Sequence, residues 1–410
     1  MNKLEQEALA YHAGAQRGKI AIQVTKPVAN QADLSLAYSP GVAVPCMEIN
    51  KDPAKAYEYT AKGNLVGVIT NGTAVLGLGD IGALAGKPVM EGKAVLFKKF
   101  AGIDSFDIEI DETDPEKLVE IIAALHPTFG GINLEDIKAP ECFYVERKLR
   151  ERLSIPVFHD DQHGTAIVVG TGFLNALHLT GRDISLVKVV CSGAGAAAIA
   201  CLDMLVDLGV RRENVYVCDS RGVLTTDREL TEEKRAWAQK TDAKTLSDVI
   251  GMADVFLGLS GPGLLSQQDV KKMAARPIVF ALANPEPELR PELIREVAPD
   301  AIIATGRSDY PNQINNALCF PYLFRAALDT GATTINQDMK RACVVALAEM
   351  ARTDDQFGRQ YIVPTLLDKR LLTGVTPRIA AAAQESGVAR KPVDPGQYRL
   401  QLEALAKTLL

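Results

Sequence analysis

Leu186-Val187-Lys188-Val189-Val190-Cys191-Ser192-Gly193-Ala194-Gly195-Ala196-Ala197-Ala198-Ile199 decides the fold. Its first six residues form the near-continuous apolar run of a strand buried on both faces. The chain then turns through Gly193-Ala194-Gly195 into an Ala/Leu-rich helix ending near Gly209. A second strand, Val215-Tyr216-Val217-Cys218, closes on Asp219. Strand, glycines, helix, strand and terminal acid follow one another as in a dinucleotide-binding βαβ unit. The glycines let backbone approach a pyrophosphate, the helix N-terminus faces its charge, and Asp219 is placed to meet a ribose. A nicotinamide dinucleotide is therefore expected at Gly193, Ala194, Gly195, Ala196 and Asp219. Asp219 favours the free 2′-hydroxyl of NAD, whereas Ser220 and Arg221 directly after it suit the 2′-phosphate of NADP.

Downstream the pattern repeats. Val255-Phe256-Leu257 empties into Gly258 and Ser260-Gly261-Pro262-Gly263, Ile278–Leu282 into Asn284-Pro285-Glu286, and Ile302–Thr305 into Gly306-Arg307-Ser308-Asp309. Strands that end in small and polar residues predict a parallel sheet whose C-terminal edge is a ligand crevice. Asn284 is placed to bond cofactor or substrate. A helix is expected from Asn312, opening with Gln313, Asn315 and Asn316; such amides suit a carboxylate, and serve equally as caps or turns. Beyond Gly331 the chain is expected to be helical, notably from Lys369 to Val388 and from Tyr398 to Leu410.

Upstream stands His159-Asp160-Asp161-Gln162-His163-Gly164-Thr165-Ala166. It follows a short apolar strand, Ile155–Phe158, and leads into a helix-like segment, Thr165–Leu179, with Gly181 as C-cap. A second acidic pair, Glu135-Asp136, follows the run Thr128–Leu134 and precedes a helix with Pro140 in its first turn. Adjacent carboxylates raise each other's pKa, and strand ends in an open α/β sheet converge on one crevice. Such an oxygen-rich set suits a hard divalent cation, Mg²⁺ or Mn²⁺; helix-capping carboxylates are the plain alternative. His159 and His163 have HxxxH spacing, but they straddle a strand-to-helix junction where that spacing need not align the rings.

The N-terminal part signals less. A helix is expected over the first 13 residues, then a turn at Tyr38-Ser39-Pro40-Gly41 with Tyr38 on its rim. Leu65–Thr70 and Ala74–Leu76 predict a hairpin turned at Asn71-Gly72. Gly77-Leu78-Gly79-Asp80-Ile81-Gly82 is a formal GxGxxG, but the following Ala83–Pro88 is too short and broken to supply a crossover helix. A tight turn lining a cleft at Gly77, Gly79 and Asp80 is expected instead. Lys93–Phe100 and Ile108–Ile110 are expected as strands, and Pro115–Leu125 as a helix. Taken alone, Tyr38 and Lys93 are ordinary structural residues.

Composition sets the limits. With 410 residues the chain exceeds one ordinary core, so two domains are expected. A formal charge of -6 argues against a nucleic-acid or anionic-membrane partner, which calls for a basic stripe. The longest apolar stretch is too short to span a bilayer, and the N-terminus has no signal-peptide core. Seven scattered cysteines without a CxxC make neither a disulfide framework nor a zinc site, and suit a cytoplasmic protein. The expected fold class is α/β with two domains. An N-terminal α/β substrate domain spans 1–158, a Rossmann-type doubly wound parallel sheet 159–390, and a C-terminal helix 391–410.

Taken together, these motifs resemble the malic enzymes of bacterial type over essentially the whole chain. The resemblance rests on Tyr38-Ser39-Pro40-Gly41, Val75–Asp80, Gly92-Lys93-Ala94, Leu134-Glu135-Asp136, Asp160-Asp161 with Gly164-Thr165-Ala166, Gly193–Ala198, Asn284-Pro285 and Asn315-Asn316. It implies metal-dependent oxidative decarboxylation of (S)-malate to pyruvate and CO₂, with NADP or NAD and Mg²⁺ or Mn²⁺. Glu135, Asp136 and Asp161 would be metal ligands, Lys93 general base, Tyr38 general acid, and Asp160 a neighbour of Lys93. Asn284 and Asn316 would contact substrate or the nicotinamide end of the cofactor. A base lysine needs a lowered pKa, which burial and a metal favour and Asp160 opposes. The resemblance also implies a homodimer. The larger branch places a substrate-binding arginine where this chain has Ala74, and hybrid bacterial members carry a phosphotransacetylase-like domain that has no counterpart within these 410 residues. A malolactic enzyme would make lactate on the same scaffold, a plain amino- or hydroxy-acid dehydrogenase would need no metal, and a dinucleotide sensor would not turn malate over.

Overall fold

The structure is a computed structural model that describes residues 3–14 and 16–409; Met1 and Leu410, named in the expected terminal helices, lie outside them. Helices α1 (Lys3–Ala13), α2 (Gln31–Ala37), α3 (Ala43–Lys51) and α4 (Ala56–Tyr59) lead the chain, and none of the four buries a residue. Strands β1 (Leu65–Thr70), β2 (Asp104–Glu109), β3 (Gly131–Leu134) and β4 (Val157–His159) then form a parallel sheet in the order β2-β1-β3-β4. Parallel neighbours cannot be joined by a tight turn. The crossovers are α5 (Ala83–Ala101), α6 (Pro115–Leu125), with Asp114 as N-cap, and α7 (Glu141–Arg152).

Three expectations fail here. β1 is buried along its whole length and has a parallel partner on each edge, so no edge is left for a hairpin with Ala74–Leu76. Residues 71–82 instead form a loop in which Ala74 N donates to Asp136 O and Val75 N to Gly79 O. Lys93–Phe100 is not a strand, and Ala83–Pro88 does open a crossover helix. Ala83, Gly86, Met90, Ala94, Phe97 and Ala101 are buried at helical spacing, and that face packs on the sheet. Pro88 is tolerated because the carbonyl it cannot bond belongs to Leu84, a residue 83% exposed.

From β4 the chain runs into α8 (Asp160–Thr180), which starts earlier than Thr165 and ends on Gly181 in the left-handed conformation. The second sheet comprises β5 (Val189–Ser192), β6 (Val215–Asp219), β7 (Gly222–Val223), β8 (Val255–Gly258), β9 (Ile278–Ala281) and β10 (Ile302–Thr305), in the order β10-β9-β8-β5-β6-β7. All neighbours are parallel except β7 on β6. Its connections include α9 (Ala196–Asp207), α10 (Glu232–Arg235), α11 (Leu246–Val249), α12 (Gln267–Lys272) and α13 (Pro291–Val297). The winding reverses between β5 and β8, the switch point where such sheets open a crevice. The glycine loop leaves β5 there. Gly193 has φ 116°, and a Cβ on it would stand 2.2 Å from the Leu259 carbonyl oxygen, so only glycine fits.

Helices α14 (Phe320–Asp329), α15 (Gln337–Arg352), α16 (Leu371–Glu385) and α17 (Pro395–Leu409) complete the chain. The helix expected from Asn312 is absent. Asn312 is left-handed and ties the Ile303 and Arg359 carbonyls together, and only a short 3₁₀ turn, Asn316–Leu318, precedes α14. α14 returns to the first sheet, where Phe320 and Phe324 meet Phe97 edge-on at 4.8 and 5.3 Å. α17 follows, its Leu409 carbonyl accepting from Lys99 Nζ. One buried cluster therefore runs from Val66 and Phe97 through Phe324 to Val189 and Phe280, under both sheets. Among the described residues, no helix is long and apolar enough to cross a membrane.

Candidate active site

The C-terminal ends of β3 and β4, the middle of α5 and the turn before α14 converge between the sheets. β3 ends at Leu134, so Glu135 and Asp136 leave the sheet together, and Asp136 takes a left-handed φ of 53°. Asp160 and Asp161 form the first turn of α8. The Asp136 N–H donates to Asp161 Oδ2 at 2.8 Å, locking one acidic pair onto the other. Glu135, Asp136 and Asp161 each offer an oxygen within 4.8 Å of the others.

Lys93 points from α5 into this cluster. Its Nζ lies 2.6 Å from Asp160 Oδ2 and 2.9 Å from Glu135 Oε1, over the Phe320 ring at 4.4 Å. Asn316 Nδ2 donates to the same Asp160 oxygen at 3.2 Å, and Thr165 Oγ1 donates to Asn316 Oδ1. Asn133 Nδ2 donates to the other Glu135 oxygen. Gly164 is required because a Cβ there would fall 2.1 Å from Asp160 Oδ1.

Charge in the cluster is unbalanced. Burial first, then the neighbouring acids, push Glu135 well above the carboxylate range against the pull of Lys93. Burial and Asp161 raise Asp136 to about 7. Asp136 Oδ2 is buried with no hydrogen-bond partner. An orphaned buried oxygen within an all-oxygen donor set fits a hard dication such as Mg²⁺ or Mn²⁺. The Lys93 shift runs against the sequence expectation. Burial alone would lower it, but Asp160 and Glu135 outweigh burial and hold it above the ordinary lysine value.

The two histidines point elsewhere. His163 Nε2 contacts both Glu146 oxygens at 2.9 Å, and His159 Nδ1 stays 3.9 Å from Asp161 Oδ2. Glu146 was not anticipated. Its sequence signal was a charge among Cys142, Val145 and Leu149 on the buried face of α7. Thr165 and Phe320 enter the site through contacts 151 and 227 positions away in the chain, to Asn316 and Lys93, which no local pattern signals; Asn133 and Gly164 act on the neighbouring Glu135 and Asp160.

A cleft of about 820 Å³ opens at the switch point, lined by Ser192, Gly193, Ala194, Gly195, Asp219 and Arg221 among others. Its size and glycine-lined wall fit a dinucleotide. Ala196 is not on that wall; it packs toward the core of the first sheet. Asp219 is already bound, accepting from Arg228 Nη2 at 2.8 and 2.9 Å and from Lys234 Nζ at 3.1 Å. Lys234 and Lys244 line the cleft beside Arg221.

Other predicted residues are not gathered in. Tyr38 is 73% exposed. Asn315 caps the 3₁₀ turn through Ala317 N. Asn284 is exposed beyond β9, where a Cβ on Gly77 would meet its carbonyl oxygen at 2.7 Å. Gly77 thus abuts the second domain, while Gly79 and Asp80 stay exposed in the turn.

Fold and site together define a two-domain α/β protein of the dinucleotide-binding class, with an acidic cluster where its sheets meet. The family description "Malic enzyme, N-terminal domain" matches residues 17–150, and "Malic enzyme, NAD binding domain" matches residues 162–386. The chain belongs to the malic enzyme family. It is 62% identical over 408 residues to an NADP-dependent malic enzyme of Escherichia coli, covering 96% of this chain and 54% of that protein. An NADP-dependent malic enzyme of Halomonas elongata is 54% identical, with 97% of each chain covered. The crystal structure of malic enzyme from Pyrococcus horikoshii superimposes with a TM-score of 0.93 at 44% identity, covering 98% of this chain and 96% of that one. The chain spans about half the length of the Escherichia coli relative.

Proposed function

We propose that this chain catalyses the oxidative decarboxylation of (S)-malate to pyruvate and CO₂, with a divalent cation and with NADP⁺ favoured over NAD⁺. The observation that carries this reading is the ion-paired Lys93 set against the Glu135–Asp136–Asp161 cluster at the domain junction. The names of the Escherichia coli and Halomonas elongata relatives support NADP, as do Arg221, Lys234 and Lys244 around the end of β6.

Glu135, Asp136 and Asp161 would hold the cation. Bound Mg²⁺ or Mn²⁺ supplies positive charge that compensates the acids and polarises the oxygens of the substrate. With the acids compensated, Lys93 can give up its proton and accept the one on the C2 hydroxyl as hydride leaves C2 for the nicotinamide. Asp160, held by Asn316, keeps the amine in place. Loss of CO₂ leaves an enol that needs a proton at C3, and the Tyr38 hydroxyl is the donor in this reading.

Tyr38 lies in a segment that exposes several large apolar side chains, among them Ile22, Leu36 and Val44 at 68–86%. Apolar surface on that scale is unusual for a free monomer. It supports a homodimer in which a second copy covers α1 to α4 and gives Tyr38 its surroundings. Seven free cysteines suit a reducing cytoplasm.

The test is a rate assay with malate that crosses NADP or NAD with Mn²⁺, Mg²⁺ or EDTA. NADPH and pyruvate formed only with the cation support the reading. Lactate without net NADPH, or full activity in EDTA, overturns it.

A further inference from the structure

A second cavity, of about 940 Å³, lies between α7, α8, α9 and α15, and meets the dinucleotide cleft at Phe143 and Glu233, which line both. Nothing in the proposed reaction uses it. Part of its wall is apolar, with Ile199, Met204 and Trp237. Another part carries cations with no direct ion pair among the described residues. Lys340 is 7% exposed, and its Nζ reaches only the His163 ring, at 3.4 Å. Arg147 has no ion-pair partner among the described residues, and Arg150 touches Thr334 Oγ1 at 3.5 Å.

Among the described residues, the acids on the wall make no direct ion pair with them. Glu146 is taken by His163, Glu151 by Lys148 at 2.9 Å, and Asp203 lies 3.7 Å from Arg212. Glu233 stands where the two cavities meet. Burial lowers the Lys340 ammonium to about 8, with Glu146 opposing the shift and Arg150 adding to it. Gln162 supplies an independent sign of a missing ligand. It is 4% exposed and lines the cavity, and its Nε2 donor is buried without an acceptor. Such a donor left unpaired costs free energy that an acceptor oxygen would recover.

We propose that this cavity binds a small organic oxyanion, a phosphate or carboxylate on an apolar body. Lys340, Arg147 and Arg150 receive its charge, and the half-buried Leu153 and Ala200 on the same wall receive its body. The site stands next to the catalytic one in the chain, since Gln162 directly follows Asp161.

Trp237 is the chain's single tryptophan, so its emission reports occupancy of the cavity. Phenyl phosphate titrated into the full chain changes that emission saturably, and does so equally with the dinucleotide cleft filled by saturating NADP. Inorganic phosphate, which lacks the apolar body, binds more weakly. Arg147 and Arg150 are exposed, so replacing both with alanine spares the core. The double variant weakens phenyl phosphate binding by about tenfold or more, as expected for loss of charge-assisted contacts. The charge reversal Arg150→Glu does the same. No saturable change, a change abolished by NADP, or an unaltered affinity in both variants overturns the proposal.

Discussion

The Nζ of Lys93 stands 2.6 Å from Oδ2 of Asp160, and the carboxylate is wholly buried while the lysine keeps 11% of its side-chain surface. A buried pair of this kind holds together only while both members are present, because either alone is an uncompensated charge. The pair joins α5 of the first domain to α8, the helix that leads into the second.

Lys93→Ala is expected to lower kcat for malate oxidation by about 10²- to 10⁴-fold, the usual share of a general base. NADP binding, at the other sheet, stays unchanged. Steady-state kinetics and an NADP titration check both halves; near-normal turnover would remove Lys93 from the mechanism.

Gly164→Ala tests the other side of Asp160. Alanine favours the helix by roughly 1 kcal/mol over glycine, yet its Cβ would overlap Asp160 Oδ1. Asp160 must swing away from Lys93, and activity drops by about 10²-fold for a displacement near 1 Å while the circular dichroism spectrum is retained. An active variant would mean that this geometry does not matter.

Arg221→Ala should lower kcat/KM for NADP by about 10-fold or more, since a hydrogen bond to a charged group contributes roughly 1.5–3 kcal/mol. The NAD value should hold. Equal losses with the two cofactors would place Arg221 away from the 2′-phosphate.

Lys340 makes stability depend on alkaline pH. Its ammonium titrates at about 8 in the folded chain, against an ordinary 10.5. Between those values the unfolded state binds the extra proton, so stability rises with pH across that window. Urea unfolding of the parent should therefore gain up to about 3 kcal/mol relative to Lys340→Met from pH 8 to 10.5. A constant difference would contradict the shift.

The exposed apolar segment before β1 predicts a dimer by sedimentation. Leu36→Asp combined with Val44→Asp, at positions 75% and 68% exposed, should yield folded monomer. A parent that sediments as a monomer at micromolar concentration would refute the dimer.

How much of this was legible in the chain differs between the two sheets. The second was readable almost strand by strand. Val189–Ser192, Val215–Asp219, Val255–Gly258, Ile278–Ala281 and Ile302–Thr305 are local apolar runs ending in small residues, and a pattern confined to one segment needs no distant partner to be seen. In the first sheet the same logic failed at Lys93–Phe100. A short apolar run is shared by strands and helices, and here the four- and three-residue spacings of Met90, Ala94 and Phe97 settle the matter.

The acids were likewise visible in advance, as two pairs at strand ends. The meeting of Glu135, Asp136 and Asp161 within 4.8 Å needed the parallel pairing of β3 with β4, which no local signal encodes. The protonated state of Lys93 was legible least of all. It depends on Asp160 and Glu135, 67 and 42 positions away, and on a burial that only the assembled core supplies. The sequence by itself determined the class of fold, the dinucleotide loop and the acidic pairs, because each is a short-range pattern of residue type. Only the tertiary structure decided which of them share a site, how Asp219 is neutralised and which way Lys93 shifts, because distance and dielectric belong to the packed chain rather than to any stretch of it.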